Sequence, residues 1–175
     1  MWGEALFVKM DSPYTETILI IIDTATVDRV FTGLTRGVAL NKIMSTFFKA
    51  LASALQHADF AKRGVSAEAT ANDKAIAITT PHGDVVGTAE HIRDGNSLAL
   101  RITFSVIRTG ATENQEVCDV MVVEMSGLGH ITKVHETQLA QAQAIEADFM
   151  YEVGMIVLAR VQDTLDGMDA TFFSI

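Results

Sequence analysis

The fold of this chain is decided by the stretch LALRITFSV, residues 98–106. Large apolar side chains occupy every second position in it: Leu98, Leu100, Ile102, Phe104 and Val106. Such alternation is typical of a β-strand that buries one face. The dipeptide Asp94-Gly95 precedes the stretch and is a strong hairpin signal, so a second strand should precede it.

Four strands are predicted between Val65 and Ser126. Pro81-His82-Gly83 and Arg93-Asp94-Gly95-Asn96 supply turns, and a polar loop spans residues 109–115. The predicted strands are Lys74–Thr80, Asp84–Ile92, Ser97–Arg108 and Glu116–Met125. Because the turns are short, these strands should form an antiparallel meander.

A long helix is predicted on each side of the meander. Apolar residues recur every three or four positions across Val27–Ala61 and again across Glu136–Leu165. Thr26 or Asp28 could cap the first helix, and Gly33 and Gly37 could divide it. Before it, Glu4–Met10 and Thr17–Asp23 flank the turn sequence Asp-Ser-Pro-Tyr, which predicts an N-terminal β-hairpin.

These elements predict a single α+β domain over residues 1–175. Val85, Gly87 and Ala89 place small side chains on one face of a strand, where a sheet could wrap closely around a helix. Over Gly83–Val106, with Leu40–Leu55 as the central helix, the layout resembles the hot-dog architecture. A helix-grip fold, whose terminal helix crosses a sheet over an apolar cavity, is the alternative resemblance.

Composition narrows the possible functions. The net charge of −9 argues against a nucleic-acid binder, since phosphate repels an acidic surface. One cysteine, Cys118, fits a reducing compartment and excludes an internal disulfide. The longest strongly apolar run, Ile18–Ile22, is too short to span a bilayer, and no signal-peptide pattern begins the sequence. We therefore expect a cytoplasmic or virion protein without membrane partners.

Three residues are candidates for catalysis. Asp119 interrupts an apolar strand face, where burial would raise the pKa of a carboxyl group and suit a general base. His91 lies on the small-residue strand and Asp28 at the start of the first helix. The hot-dog resemblance implies an acid or histidine near the start of the central helix; this chain has Asn41 and Lys42 near the helix middle and Asp28 at its entry. For Asp119 we favour a structural role at an edge-strand position, where an inward or exposed charge discourages aggregation.

A metal or cofactor site is not expected. His130 and His135 lie five residues apart beside Glu136, but this spacing matches no zinc-binding motif. No phosphate-binding loop, nucleophile elbow or dinucleotide fingerprint occurs.

The two helical regions differ in charge. Residues 28–63 hold six basic and two acidic side chains, a net charge of +4, whereas residues 136–169 have a net charge of −6. Opposite charge favours pairing of the two helices, either within one subunit or between neighbouring copies.

Self-association is the function that the sequence favours. Hydrophobic residues make up 49% of the chain, and such an excess can be buried between subunits. Aromatic and aliphatic side chains near both ends are the predicted interface: Trp2, Phe172, Phe173 and Ile175. We expect a non-catalytic structural subunit of a ring, shell or virion. The alternatives are an enzyme or carrier for small apolar acyl-type molecules and an acidic adaptor or inhibitor.

Overall fold

The structure is a computed structural model that describes residues 23–70, 73–95, 97–109 and 115–165. The predicted N-terminal hairpin and the predicted interface residues Trp2, Phe172, Phe173 and Ile175 lie outside the described residues.

In the part of the chain that the structure describes, two helices precede a β-sheet and a third helix follows it. The helices are α1 (Thr24–Leu55), α2 (Ala58–Ala61) and α3 (Ala147–Asp163). The strands are β1 (Ser66–Ala69), β2 (Ala75–Thr80), β3 (Gly83–Asp94), β4 (Ser97–Thr109), β5 (Gln115–Met125), β6 (Ile131–Val134) and β7 (Thr137–Gln143).

The strands form one seven-stranded antiparallel sheet in which each strand pairs with its neighbours in sequence. At the centre, Ile102 of β4 lies opposite Ala89 of β3 and Val123 of β5. A β-bulge near Phe104 shifts the register of β5, so Asp119 pairs with Ser105.

The predicted fold was wrong in the size of the sheet. Strands β2 to β5 correspond to the four predicted strands, but β1, β6 and β7 extend the meander to seven. The molecule is still α+β, yet the four-stranded hot-dog-like or helix-grip-like arrangement is replaced by a wider sheet. The added strands β1 and β6 have only four residues each, too few to show a clear alternation of apolar residues.

The predicted C-terminal helix was also wrong at its start. Residues 137–143 form β7, and the helix begins only at Ala147. Alanine, glutamine and leucine favour helix in this stretch, but pairing with β6 overrides that preference. The turn depends on His135, whose φ of 53° is left-handed, so that Val134 and Thr137 face each other across a two-residue loop.

Helix α1 is continuous for 32 residues through Gly33 and Gly37. Its N-cap is Asp23, whose carboxylate accepts a hydrogen bond of 2.6 Å from the backbone N–H of Thr26. The predicted caps, Thr26 and Asp28, lie inside the helix.

The core lies between one face of the sheet and the two long helices. From α1 it receives Leu40, Met44, Phe47, Phe48, Leu51 and Leu55. Helix α3 packs against the same part of α1, where Gly154 allows close contact: a Cβ there would lie 2.9 Å from Leu55 Cδ2.

Gly87 shows where the small-residue strand needs its space. A Cβ on Gly87 would lie 2.7 Å from Ile76 Cγ2 and 2.8 Å from Phe104 Cε1. The room is therefore filled by side chains of the two flanking strands, β2 and β4, which pack over the glycine.

Candidate functional site

The N-terminal half of α1 carries a row of exposed apolar side chains, which we call the α1 stripe. It comprises Val27, Val30, Phe31, Leu34 and Val38. Phe31, Leu34 and Val38 are 63%, 62% and 59% exposed, although each belongs to a residue type that globular proteins usually bury. Exposure of the stripe to water is therefore unfavourable in free energy.

The spacing of the stripe is that of a helix-packing seam. Val27 and Leu34 are seven residues apart, as are Phe31 and Val38, and the two pairs interleave at intervals of three and four. Such a heptad pattern presents one apolar edge to a partner helix. From Val27 to Val38 the edge is about 17 Å long at the α-helical rise.

This edge does not continue the face that α1 buries in its own core. At about 100° per residue, the stripe lies roughly a third of a turn away from the face that carries Leu40, Phe47 and Leu51. The stripe is therefore displaced sideways from the face by which the C-terminal half of α1 packs on the sheet.

The orientation of the exposed half is fixed by contacts with the sheet. His91 of β3 lies 3.1 Å, from Nε2 to Oδ1, from Asn41 of α1. A Cβ on Gly37 would be 3.5 Å from the His91 ring, so the helix and strand are close at that point. Asn41 is seven residues after Leu34 and lies on nearly the same side of α1, so β3 borders the stripe without covering it, as the exposure of Leu34 and Val38 shows.

Among the residues that the structure describes, the other exposed large apolar side chains do not form a comparable row: Val117, Leu128, Met155 and Ile156. Val117 and Leu128 are 65% and 83% exposed, but they lie on β5 and in the loop after it. Isolated exposed residues of this kind are common in soluble proteins, whereas a contiguous exposed patch usually marks an interaction site.

The candidate catalytic residues are not brought together. Asp119 lies on the open face of the sheet, where its carboxylate accepts a hydrogen bond of 2.6 Å from Ser105 Oγ. Asp119 lines a cleft with Arg101, Glu124 and His135, whereas Asp28 lines a different cleft. His91 faces α1, as described above. The arrangement provides no acid–base pair from these three residues.

The histidines considered for metal binding are also separated. His130 lines a cleft with Lys42 and Ile145, and His135 lines the cleft that holds Asp119. Within the described ranges, no group of three or more potential metal ligands occurs.

A further cleft of about 570 Å³ lies between α2, the β2–β3 turn and α3. Phe60, Tyr151 and Leu158 contribute apolar surface to it, and Arg63 and Gln162 contribute polar groups. None of the candidate catalytic residues lines this cleft. Binding of a small apolar molecule there stays a prediction.

Two carboxylates of the described residues have lowered pKa values, and both support α1. Hydrogen bonds from the backbone and side chain of Thr26 lower the pKa of Asp23. The pKa of Asp73 is lowered by hydrogen bonds from Lys49 and Ser45. Lys49 Nζ lies 2.6 Å and Ser45 Oγ 2.9 Å from Asp73 Oδ2, which ties α1 to the β1–β2 connection.

The opposite charges of the two helical regions do not pair directly. Helices α1 and α3 are in contact through Leu51, Leu55 and Gly154, which are apolar. Across the described part of the chain no ion pair joins the two helices, and Arg160 pairs with Asp163 of its own helix. Pairing between neighbouring copies stays a prediction.

Comparison of the chain with protein-family models, curated proteins and solved structures gave no match. Across the ranges that the structure describes, no helix is both long enough and apolar enough to cross a bilayer.

Sequence reasoning missed the α1 stripe although its signal was present. The heptad spacing of Val27, Phe31, Leu34 and Val38 can be read from the sequence, but only the structure shows that these residues lie off the core face. Near Leu40 the apolar positions of α1 move from one side of the helix to another. This change can be found in the sequence and would have identified the stripe.

Proposed function

We propose that this protein is a non-catalytic, self-associating structural subunit of a larger assembly, such as a virion component or another cytoplasmic ring or shell. The observation that carries this proposal is the α1 stripe. A row of exposed apolar side chains with heptad spacing, held on a fixed helix, is suited to packing against another helix.

A second copy of the same chain is the partner that fits the stripe best. In a two-fold symmetric pair the same patch contacts itself, so the stripe needs only to complement its own shape and charge. An antiparallel pair places the end of the stripe near Asp28 beside the other copy's end, which lies near Lys42. This orientation also opposes the two helix dipoles favourably.

Growth beyond a pair requires a second contact. A two-fold contact closes on itself, whereas an additional contact between different patches can form rings or shells. The apolar side chains predicted as interface, Trp2, Phe172, Phe173 and Ile175, are our candidates for that contact.

The test compares two leucine variants by sedimentation equilibrium at micromolar concentration. Leu34→Glu places a carboxylate in the centre of the stripe, and glutamate keeps helix propensity close to that of leucine. Leu128→Glu is the matched control, because Leu128 is even more exposed but lies outside the stripe. The wild type should be oligomeric, and Leu34→Glu should weaken association by at least about tenfold, from lost apolar burial.

The control should associate as the wild type does. A wild-type chain that stays monomeric at these concentrations, or equal weakening by both substitutions, would contradict the proposal. Binding of the monomeric wild type to lipid vesicles through Leu34 would identify a membrane as the partner of the stripe. This result would also overturn the proposal of self-association.

A further inference from the structure

A cleft lined by three arginines lies between α1 and the β3–β4 hairpin. Arg29 and Arg36 come from α1, and Arg93 comes from the end of β3. The cleft has a volume of about 510 Å³ and is also lined by Asp28, Thr32, Gly33, Ser97 and Leu98. We call it the arginine cleft.

The fold explains why Arg93 reaches this position. Side chains of a strand alternate between the two faces of a sheet, so Arg93 shares a face with His91, which contacts α1. In α1, Arg29 and Arg36 are seven residues apart and therefore lie on one side of the helix. The two elements thus present their guanidinium groups to the same space.

These arginines have no anionic partner within the described residues. No ion pair or hydrogen bond there involves the side chain of Arg29, Arg36 or Arg93, unlike Arg101, which pairs with Glu90 and Glu124. Of the described residues that line the cleft, Asp28 alone is acidic. The site is locally positive although the chain carries a net charge of −9, and gathering like charges without a counterion is unfavourable.

We propose that the arginine cleft binds a phosphate group. Guanidinium forks donate paired hydrogen bonds that match phosphate oxygens. The hydroxyl groups of Thr32 and Ser97 add neutral donors. Gly33 leaves space for the ligand, since a Cβ there would have nothing within 4 Å. A phosphate monoester carries roughly −1.5 to −2 charges at pH 7 and so suits the three cations better than a single carboxylate does.

This site is independent of the proposed self-association. On the helical wheel Arg29 and Arg36 lie on nearly the opposite side of α1 from Phe31 and Leu34. A copy packed on the α1 stripe would therefore leave the arginine cleft open, and either proposal could fail without the other.

The test measures binding of inorganic phosphate and pyrophosphate by isothermal titration calorimetry at low ionic strength, with acetate as the comparison anion. The wild type should bind pyrophosphate more tightly than phosphate and should show no saturable binding of acetate. Arg36→Gln and Arg93→Gln should each weaken pyrophosphate binding at least tenfold. Arg160→Gln, which changes an arginine on α3, should leave it unchanged.

A third variant keeps the test decisive if an arginine substitution unfolds the protein. Gly33→Glu introduces a carboxylate at the cleft from a position where a Cβ would have nothing within 4 Å, and it should abolish pyrophosphate binding while circular dichroism stays that of the wild type. Absence of saturable binding by the wild type would overturn the proposal, as would equal weakening by Arg160→Gln.

A phosphate group occurs both in free metabolites and in lipid headgroups, and vesicles distinguish these sources. Binding to phosphatidic acid vesicles but not to phosphatidylcholine vesicles, lost in Arg93→Gln, would identify a headgroup. Binding of soluble pyrophosphate without vesicle binding would identify a free ligand.

Discussion

Gly33 and Gly154 show how surroundings decide the effect of one methyl group inside a helix. Both residues lie within α-helices. Nothing lies within 4 Å of a Cβ added at Gly33, whereas one added at Gly154 would lie 2.9 Å from Leu55 Cδ2 and 3.3 Å from Leu55 Cγ. Leu55 is fully buried and cannot move aside without disturbing the core.

We therefore predict opposite changes in stability for the same substitution at these two glycines. Gly33→Ala should raise the free energy of unfolding by about 0.5–1 kcal/mol, because alanine restricts the unfolded chain and favours helix. Gly154→Ala should lower it, because an overpacking cost of about 1–3 kcal/mol exceeds that gain. Urea unfolding followed by circular dichroism measures both, and an equal gain in both variants would show that α1 and α3 are not tightly packed.

The lowered pKa of Asp73 predicts a pH-dependent contribution to stability. A carboxyl group whose pKa falls on folding stabilises the protein above its ordinary pKa of 3.8, and this contribution is lost as the pH falls through the lowered value. Asp73→Asn should therefore destabilise the protein at neutral pH, and its difference from the wild type should disappear in acid.

The substitution suits this position because Asp73 has a left-handed φ of 54°, which asparagine also tolerates. Thermal unfolding at several pH values measures the effect, with Glu68→Gln on β1 as the control. A difference from the wild type that stayed constant down to acid pH would show that the charge of Asp73 is not involved.

Asp119 is exposed on the sheet, with its carboxylate bonded to Ser105 Oγ, and its role in discouraging aggregation stays a prediction. The helix cap was placed too late, at Thr26 or Asp28 in place of Asp23, because several neighbouring residues could have capped α1 equally well.

Arg108 connects two elements that are distant in sequence, the end of β4 and the end of α3. Its Nη1 donates a 2.6 Å hydrogen bond to the carbonyl of Thr164, and its Nη2 donates a 2.5 Å hydrogen bond to Thr164 Oγ1. A cation at the C-terminus of a helix satisfies free carbonyl groups and interacts favourably with the helix dipole.

Arg108→Met should lower the free energy of unfolding by about 1–3 kcal/mol, because it removes charged hydrogen bonds to partly buried carbonyl groups. Arg108→Lys should be little more stable than Arg108→Met, since lysine lacks the second nitrogen that reaches Thr164. Arg160→Met, which breaks an exposed ion pair within α3, should change stability by less than about 1 kcal/mol. Chemical denaturation of the three variants checks the order, and full stability of Arg108→Lys would show that charge alone is sufficient.

Elements with strong periodicity were predicted well, and short or ambiguous ones were not. The alternation in β4 identified its buried face, because Leu100, Ile102, Phe104 and Val106 are all buried. The stretch that forms β7 has residues that favour a helix, and its pairing with β6 is a contact that local preference does not encode. The edge of a sheet is consequently harder to predict than its centre.

The surfaces of the whole molecule were the least predictable feature. An excess of apolar residues was evident from the composition, but composition does not state where the excess lies. The exposure of the stripe on α1 depends on how that helix packs against the sheet, which is a property of the complete fold. The arginine cleft is likewise formed only where β3 and α1 pack against each other in the complete fold.

Self-association through the α1 stripe should make the stability of the whole molecule depend on its concentration. Binding that occurs only in the folded state stabilises that state by mass action, by about 2.7 kcal/mol when the ligand is at a hundredfold excess over Kd. For a chain of this size 1 kcal/mol corresponds to roughly 2–4 °C in Tm. A Kd on the order of micromolar lies within the range of about 1 to 100 µM protein. Across this range the Tm of the wild type should therefore rise by several degrees.

The Tm of Leu34→Glu should stay constant over the same range and should equal that of the dilute wild type, because the substituted side chain is exposed in the isolated subunit. Differential scanning fluorimetry of both proteins, with Leu128→Glu as a control that should follow the wild type, makes this comparison. A Tm that rises equally in all three proteins would place the contact elsewhere on the surface. A Tm that is flat in all three would mean that the isolated chain is stable with its stripe exposed to water.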